Sequence, residues 1–189
     1  MLMLDNQLAG LPVASVQASR AIGRVSGYLI DPRKLHIVAL SVDEKTSPEP
    51  KVLHTSDIRE LGGGGVIIDH DEQLMDTEGL VRLQSIIDID FKLIGKPVET
   101  EDGRRLGKVG AFAFDSLTWL IMRLHVGQSV VKSVGSSELI IHRRQIVKVS
   151  DQLITVASAS VKSKAKFSLK RLLWGGKPAL NPDTISLEE

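Results

Sequence analysis

The stretch Ile22-Gly23-Arg24-Val25, continued by Tyr28-Leu29-Ile30-Asp31 and Leu35-His36-Ile37-Val38-Ala39-Leu40-Ser41-Val42, decides the fold because it returns eighty-four residues later. Its second occurrence reads Leu106-Gly107-Lys108-Val109, Phe112-Ala113-Phe114-Asp115 and Trp119-Leu120-Ile121-Met122-Arg123-Leu124-His125-Val126. Upstream, Leu8-Ala9-Gly10-Leu11-Pro12-Val13 matches Leu93-Ile94-Gly95-Lys96-Pro97-Val98; downstream, Leu53-His54 and Ile58 match Ile141-His142 and Ile146. Every insertion falls between matched blocks, where loops belong. Two copies of about sixty residues point to duplication of a whole small domain rather than a short solenoid repeat.

Each copy reads as β. Val25 to Asp31 and Leu35 to Val42 are runs of branched and aromatic residues across Asp31-Pro32-Arg33-Lys34, a turn by composition. Asp115-Ser116-Leu117-Thr118 takes that place in the second copy, and Asp102-Gly103 signals a hairpin between Val98 and Leu106. In the first copy Ala18-Ser19-Arg20 fills the corresponding loop. Val38, Leu40 and Val42 pair with Met122, Leu124 and Val126, whereas Ala39 becomes Arg123, so that alternate face is expected to meet water. Five or so short strands in sixty residues predict a small closed or nearly closed barrel. Between the copies, Asp76 is placed to cap a helix through Ile87 with Leu80, Leu83 and Ile87 on one stripe. Asp88 to Leu93 then alternates like a strand entering the second barrel. The linker is short and partly apolar, so the barrels are expected to touch.

The pattern of G-x-P-V, then (I/L)-G-(K/R)-V-x-x-(Y/F)-x-(I/F)-D, then (L/W)-x-I-x-x-L-x-V, resembles the PRC-barrel family. That family is named for the cytoplasmic barrel of the photosynthetic reaction centre H subunit. The resemblance covers residues 8–69 and 93–157, and its recurring positions are Gly10, Gly23 and Asp31 with Gly95, Gly107 and Asp115. It implies a mainly β chain of two small PRC-type β-barrels in tandem, with a short linker helix and a C-terminal amphipathic helix. The divisions are a first barrel at 1–70, an acidic, partly helical linker at 71–90, a second barrel at 91–158, and a basic amphipathic helix with a tail at 159–189. Similar barrels occur in ribosome maturation factors, sporulation-associated proteins and archaeal cell-division adaptors. The resemblance therefore implies a non-enzymatic protein-interaction adaptor or scaffold, set in cell division or envelope-associated assembly, with no catalytic residues or cofactor carried over. A ribosome-assembly or RNA-processing accessory role is the alternative.

Composition sets further bounds. The chain has 189 residues, 24 Lys and Arg against 23 Asp and Glu, and no Cys, which excludes disulfides, thiol catalysis and thiolate zinc sites. Residues 1–158 carry 18 bases and 20 acids, so the bulk of the chain is no basic nucleic-acid platform. Met1-Leu2-Met3-Leu4-Asp5 has no basic n-region and no long apolar core, and no run of eighteen apolar residues follows; the cytoplasm is the expected compartment.

Charge is uneven along the chain. From Asp69 to Asp90 there are seven acids and one base; from Ala159 to Pro182 there is no acid and six bases. Val161, Ala165, Leu169 and Leu172 share a helical stripe, and Lys162, Lys166 and Lys170 lie one position round. Lys162, Lys166, Phe167, Lys170, Arg171 and Trp174 are therefore the candidate residues for a partner or an anionic membrane surface. The competing reading packs this segment on the second barrel. Partners expected are another protein, an anionic membrane that would hold the chain at its periphery, or a second copy in a homo-oligomer.

Other constellations carry less. His54 and His142 occupy matched positions, but no His lies three or four residues from another, so no metal is expected. Gly62 to Gly65 precede a strand-like run and lack the Lys-Ser/Thr of a phosphate loop, so a turn is expected. The carboxylate pairs Glu99 and Glu101, and Asp69 and Asp71, fall at loops or strand ends rather than in a pocket.

Overall fold

The structure, a computed structural model, describes residues 1–44, 47–76, 81–127 and 138–158. The chain is mainly β. In the first half the strands are β1 (Leu2–Leu4), β2 (Pro12–Ser15), β3 (Arg20–Asp31), β4 (His36–Glu44), β5 (Lys51–His54), β6 (Ile58–Gly62), β7 (Gly65–Ile68) and β8 (Leu74–Met75). Helix α1 (Val81–Ile87) follows, then β9 (Pro97–Thr100), β10 (Arg105–Asp115), β11 (Ile121–Gly127), β12 (Glu138–His142), β13 (Ile146–Val149) and β14 (Ile154–Val156).

The strands form two sheets. One runs β6-β7-β2-β3-β4-β5-β8 and the other β13-β14-β9-β10-β11-β12, so the six matched strands stand in the same order in both. Each sheet is antiparallel except at one place, β2 with β7 and β9 with β14, again matched. Details repeat as well. Gly10 N donates to Val25 O at 2.8 Å, and Gly95 N to Val109 O at 2.7 Å. Long strands β3 and β10 pair with a different partner at each end, with register shifts along the way that bend them. Among the described residues neither sheet is closed by hydrogen bonds, β6 and β8 being the ends of the first and β12 and β13 those of the second.

The apolar faces of both sheets share one core. Val13, Leu40, Leu53 and Ile68 from the first lie in the same buried cluster as Val98, Phe112, Leu124 and Ile154 from the second. Removing this area from water is the main stabilising term, at about 25 cal/mol per Å² of apolar surface. A smaller cluster lies outside the first sheet, where Leu83 of α1 is buried over Val38, Ala39 and Val52, with Ile86 and Ile87 alongside.

Two features depart from the sequence reading. Ala39 does not face water: it is fully buried beneath α1. Residues 88–93 form no strand. Asp88 N donates to Gln84 O and Asp90 N to Ile87 O, ending the helix with Asp90 at a φ of 41°, and the chain then crosses the core in an irregular path with Leu93 buried. Of the alternating apolar residues Leu93 is buried and Phe91 packs against the core, whereas Ile89 is exposed. Pairing also runs past residue 70 and from one sheet to the other. Leu74–Met75 still pairs with β5, and Leu2–Leu4 pairs with β10 of the other sheet. The Asp76 cap and Leu80 adjoin or fall in residues 77–80, outside the described residues.

Candidate functional site at the junction of the sheets

The β3–β4 and β10–β11 turns meet face to face. Ile37 N donates to Trp119 O at 3.0 Å and Ile121 N donates to Leu35 O at 2.9 Å, so matched residues exchange matched bonds across the junction. His36 and Leu120 form an isolated antiparallel bridge there. Behind it Tyr28 meets Phe112, its match, edge to face at 5.4 Å, and Trp119 stacks on Phe114 at 5.5 Å. Burial pushes the Tyr28 hydroxyl up to about 12, with the Asp5 carboxylate adding to the effect.

Asp31 and Asp115 open the two turns. Asp31 Oδ1 accepts from Arg33 N at 2.9 Å; Asp115 Oδ1 accepts from Leu117 N and Thr118 N at 3.0 Å each. Those two backbone bonds, Thr118 first, hold the Asp115 carboxyl down to about 2. The N-terminal ammonium of Met1 lies 3.3 Å from Asp115 Oδ2, and Phe112 N donates to Asp5 Oδ1 at 3.0 Å, which straps residues 1–5 to the second sheet.

Thr55 and Arg143 hold matched positions with different chemistry. Thr55 Oγ1 donates to Ile37 O and Val38 O within its own sheet. Arg143 Nη1 donates to Ile121 O at 3.1 Å and also to Leu35 O of the other sheet at 3.0 Å, while Nη2 reaches Lys34 O. One guanidinium thus ties both turns. Reading the sequence missed this residue, although the Thr-to-Arg mismatch inside a matched block was its visible trace.

Beside the junction lies an open cleft of about 470 Å³, lined by His36, His54, Ser56, Arg59, Leu117 and Trp119 among others. Leu117 stands on its rim, 84% exposed. His36 Nε2–H donates to Thr118 O at 3.1 Å, and desolvation lowers its pKa against the opposing pull of that bond. His54 Nδ1 accepts from Ser56 N at 3.1 Å and lies 2.6 Å from Ser56 Oγ, whose hydroxyl donates to Asp57 Oδ1. The carboxylate sits on the serine, not behind the imidazole, so this contact has the form of a turn cap and not of a proton relay. Arg59 is paired with Asp69 at 2.8 Å.

The remaining expected positions are structural in their surroundings. Gly10 and Gly95 occupy turns at φ 79° and 85°. Gly23 and Gly107 lie opposite Val13 and Val98, where a Cβ would meet Asp43 O at 2.8 Å and Gly127 O at 2.1 Å respectively. Gly62 and Gly65 pair with each other across a two-residue hairpin turn. His54 and His142 each precede a short 3-10 turn, and among the described residues no three His, Asp or Glu gather as metal ligands. Glu99 is paired with Arg105 at 3.2 Å. Lys162, Lys166, Phe167, Lys170, Arg171 and Trp174 lie outside the described residues. No described helix is long and apolar enough to cross a membrane.

Neither the family profiles nor the curated proteins compared with this chain give a match.

Proposed function

We propose that this chain is a protein-interaction adaptor without catalytic activity, built from two PRC-type barrels in tandem and acting in the cytoplasm. The single observation that carries the reading is the junction. Two sheets of the same strand order are locked turn to turn, and beside the lock an open cleft presents Leu117 next to Trp119. A large apolar side chain left in water at the rim of a rigid concave surface is the kind of anchor that protein partners bury. His36, His54, Arg59 and Thr118 around it are already bonded to backbone or to neighbouring side chains, which suits a surface that positions a partner more than one that transforms a substrate.

The experiment is cross-linking of the full-length protein in its own cells, followed by recovery of attached proteins, for the natural chain and for Leu117→Asp. Partners recovered with the natural chain and lost with Leu117→Asp, at unchanged melting temperature, support the adaptor and place its contact at the cleft. Identical recovery from both chains would remove the cleft from the proposal.

A further inference from the structure

Among the described residues, the outer face of the first sheet is covered and the same face of the second is bare. Ala39 lies opposite His54 and Ser41 opposite Val52; Arg123 lies opposite His142 and His125 opposite Ile140. The faces therefore correspond residue by residue. Under α1, Val38 and Val52 are 8% and 3% exposed, whereas their matches Met122 and Ile140 are 36% and 45% exposed.

The first face takes its cover from the chain that follows its last matched strand. That chain leaves β7 beside the β2–β3 turn, where Gln17 N donates to Asp69 O at 3.0 Å. The second leaves β14 beside the matched β9–β10 turn, where Ser158 Oγ donates to Asp102 Oδ1 at 2.9 Å. Helix α1 begins thirteen residues after Ile68 and ends nineteen after it; counted from Val156, the same interval is 169 to 175. Leu169 and Leu172, which continue the stripe of Val161 and Ala165, fall within it together with Leu173 and Trp174, which widen the apolar surface.

We propose that segment 161–174 docks on the outer face of the second sheet, over Met122 and Ile140, as α1 does on the first. Charge says what holds it there. The segment carries Lys162, Lys164, Lys166, Lys170 and Arg171, and the face carries Arg123 and His142, with Glu138 already beside His125 at 3.0 Å. Arg123 and Glu138 balance on that face, which leaves apolar burial as the attraction, with the lysines turned outward beside the stripe. Added salt therefore leaves this docking in place, whereas it releases a basic segment from an anionic membrane or an acidic protein.

Because the natural chain lacks cysteine, the test is direct. Full-length protein carrying Ile140→Cys and Leu172→Cys is oxidised beside a control carrying Val147→Cys and Leu172→Cys, Val147 being exposed on β13 at the opposite end of the sheet. The expected result is an intrachain disulfide formed at least tenfold faster in the first pair, and no slower at 0.5 M salt (on the order of a Debye length of 4 Å). Equal rates in the two pairs, or a disulfide formed only between chains, overturns the proposal; the latter would make a second copy the occupant. As a second readout, Met122→Asp with Ile140→Asp should speed tryptic cleavage at Lys166 to Arg171 about fivefold or more, and unchanged cleavage counts against docking. Salt-reversible flotation of the natural chain with anionic vesicles would assign the segment to a membrane instead.

Discussion

Leu35 and Trp119 hold the same place in matched turns, with φ of 45° and 58°, and each carbonyl accepts a backbone bond from the opposite sheet. A left-handed conformation costs a residue with a Cβ about 1–2 kcal/mol. Here it turns each carbonyl toward the other sheet while each side chain stays buried, at 5% and 6% exposure. The strain sits where the two halves are joined.

Arg143 closes that joint, so its loss should weaken it. Arg143→Met leaves the Leu35 and Ile121 carbonyls without their charged donor and is expected to cost about 1.5–3 kcal/mol, read from urea unfolding. Arg143→Thr copies Thr55 and should restore the bond within the second sheet, losing less than Met does. Equal loss from both substitutions would mean that the contact inside the sheet contributes nothing.

The matched glycines should rank by what surrounds them. Gly107→Ala places a Cβ 2.1 Å from Gly127 O at a φ of 135°, and backbone must move; a loss above about 3 kcal/mol is expected. Gly23→Ala meets Val42 Cγ1 at 2.7 Å and Asp43 O at 2.8 Å without the positive φ and should cost less. Gly95→Ala has open space and only its φ of 85° to accommodate, about 1–2 kcal/mol. Denaturant midpoints that reverse this order would contradict the close approach at Gly107.

Acid should act through Asp115. Its carboxyl is held down to about 2, below the ordinary 3.8, so the folded state binds its proton later than the unfolded one. The stability this contributes is fully present above pH 4 (about the unfolded value) and lost as pH falls toward 2. Asp115→Asn should therefore flatten the melting-temperature profile between those limits. His36, lowered chiefly by desolvation, adds a second loss as pH drops through and below its ordinary 6.5. A profile of Asp115→Asn parallel to that of the natural chain would remove Asp115 from the account.

Ala39→Arg writes the residue of the second sheet into the first. A charge placed under α1 with no partner is expected to cost about 3 kcal/mol or to expel the helix, seen as faster hydrogen exchange over 81–87. Arg123→Ala, at the matched position where α1 does not lie, should change stability by less than about 0.5 kcal/mol.

Local chemistry was legible in the sequence. Asp31-Pro32-Arg33-Lys34 and Asp102-Gly103 announce turns because the residues that shape a turn lie within it, and Gly103 does adopt a φ of 79°. What depended on distant partners was not. Ala39 and Arg123 look interchangeable until α1 is seen to lie on one and not the other. Leu2 to Leu4 offers no sign that it pairs more than a hundred residues away. Residues 88–93 alternate as a strand would, yet only Phe91 and Leu93 meet the core while Ile89 is exposed, and periodicity alone does not separate a strand from such a loop. The cleft formed by Leu117, His54 and Trp119 belongs to two sheets at once, so no single stretch of sequence contains it.

The adaptor reading stands or falls on what the protein carries with it. The most direct measurement is purification of the full-length chain from its own cells under native conditions, with and without nuclease, followed by identification of the proteins retained. A defined protein partner that survives nuclease and needs no added nucleotide or metal is the expected result. Loss of every partner on nuclease treatment would contradict it and give the role to RNA.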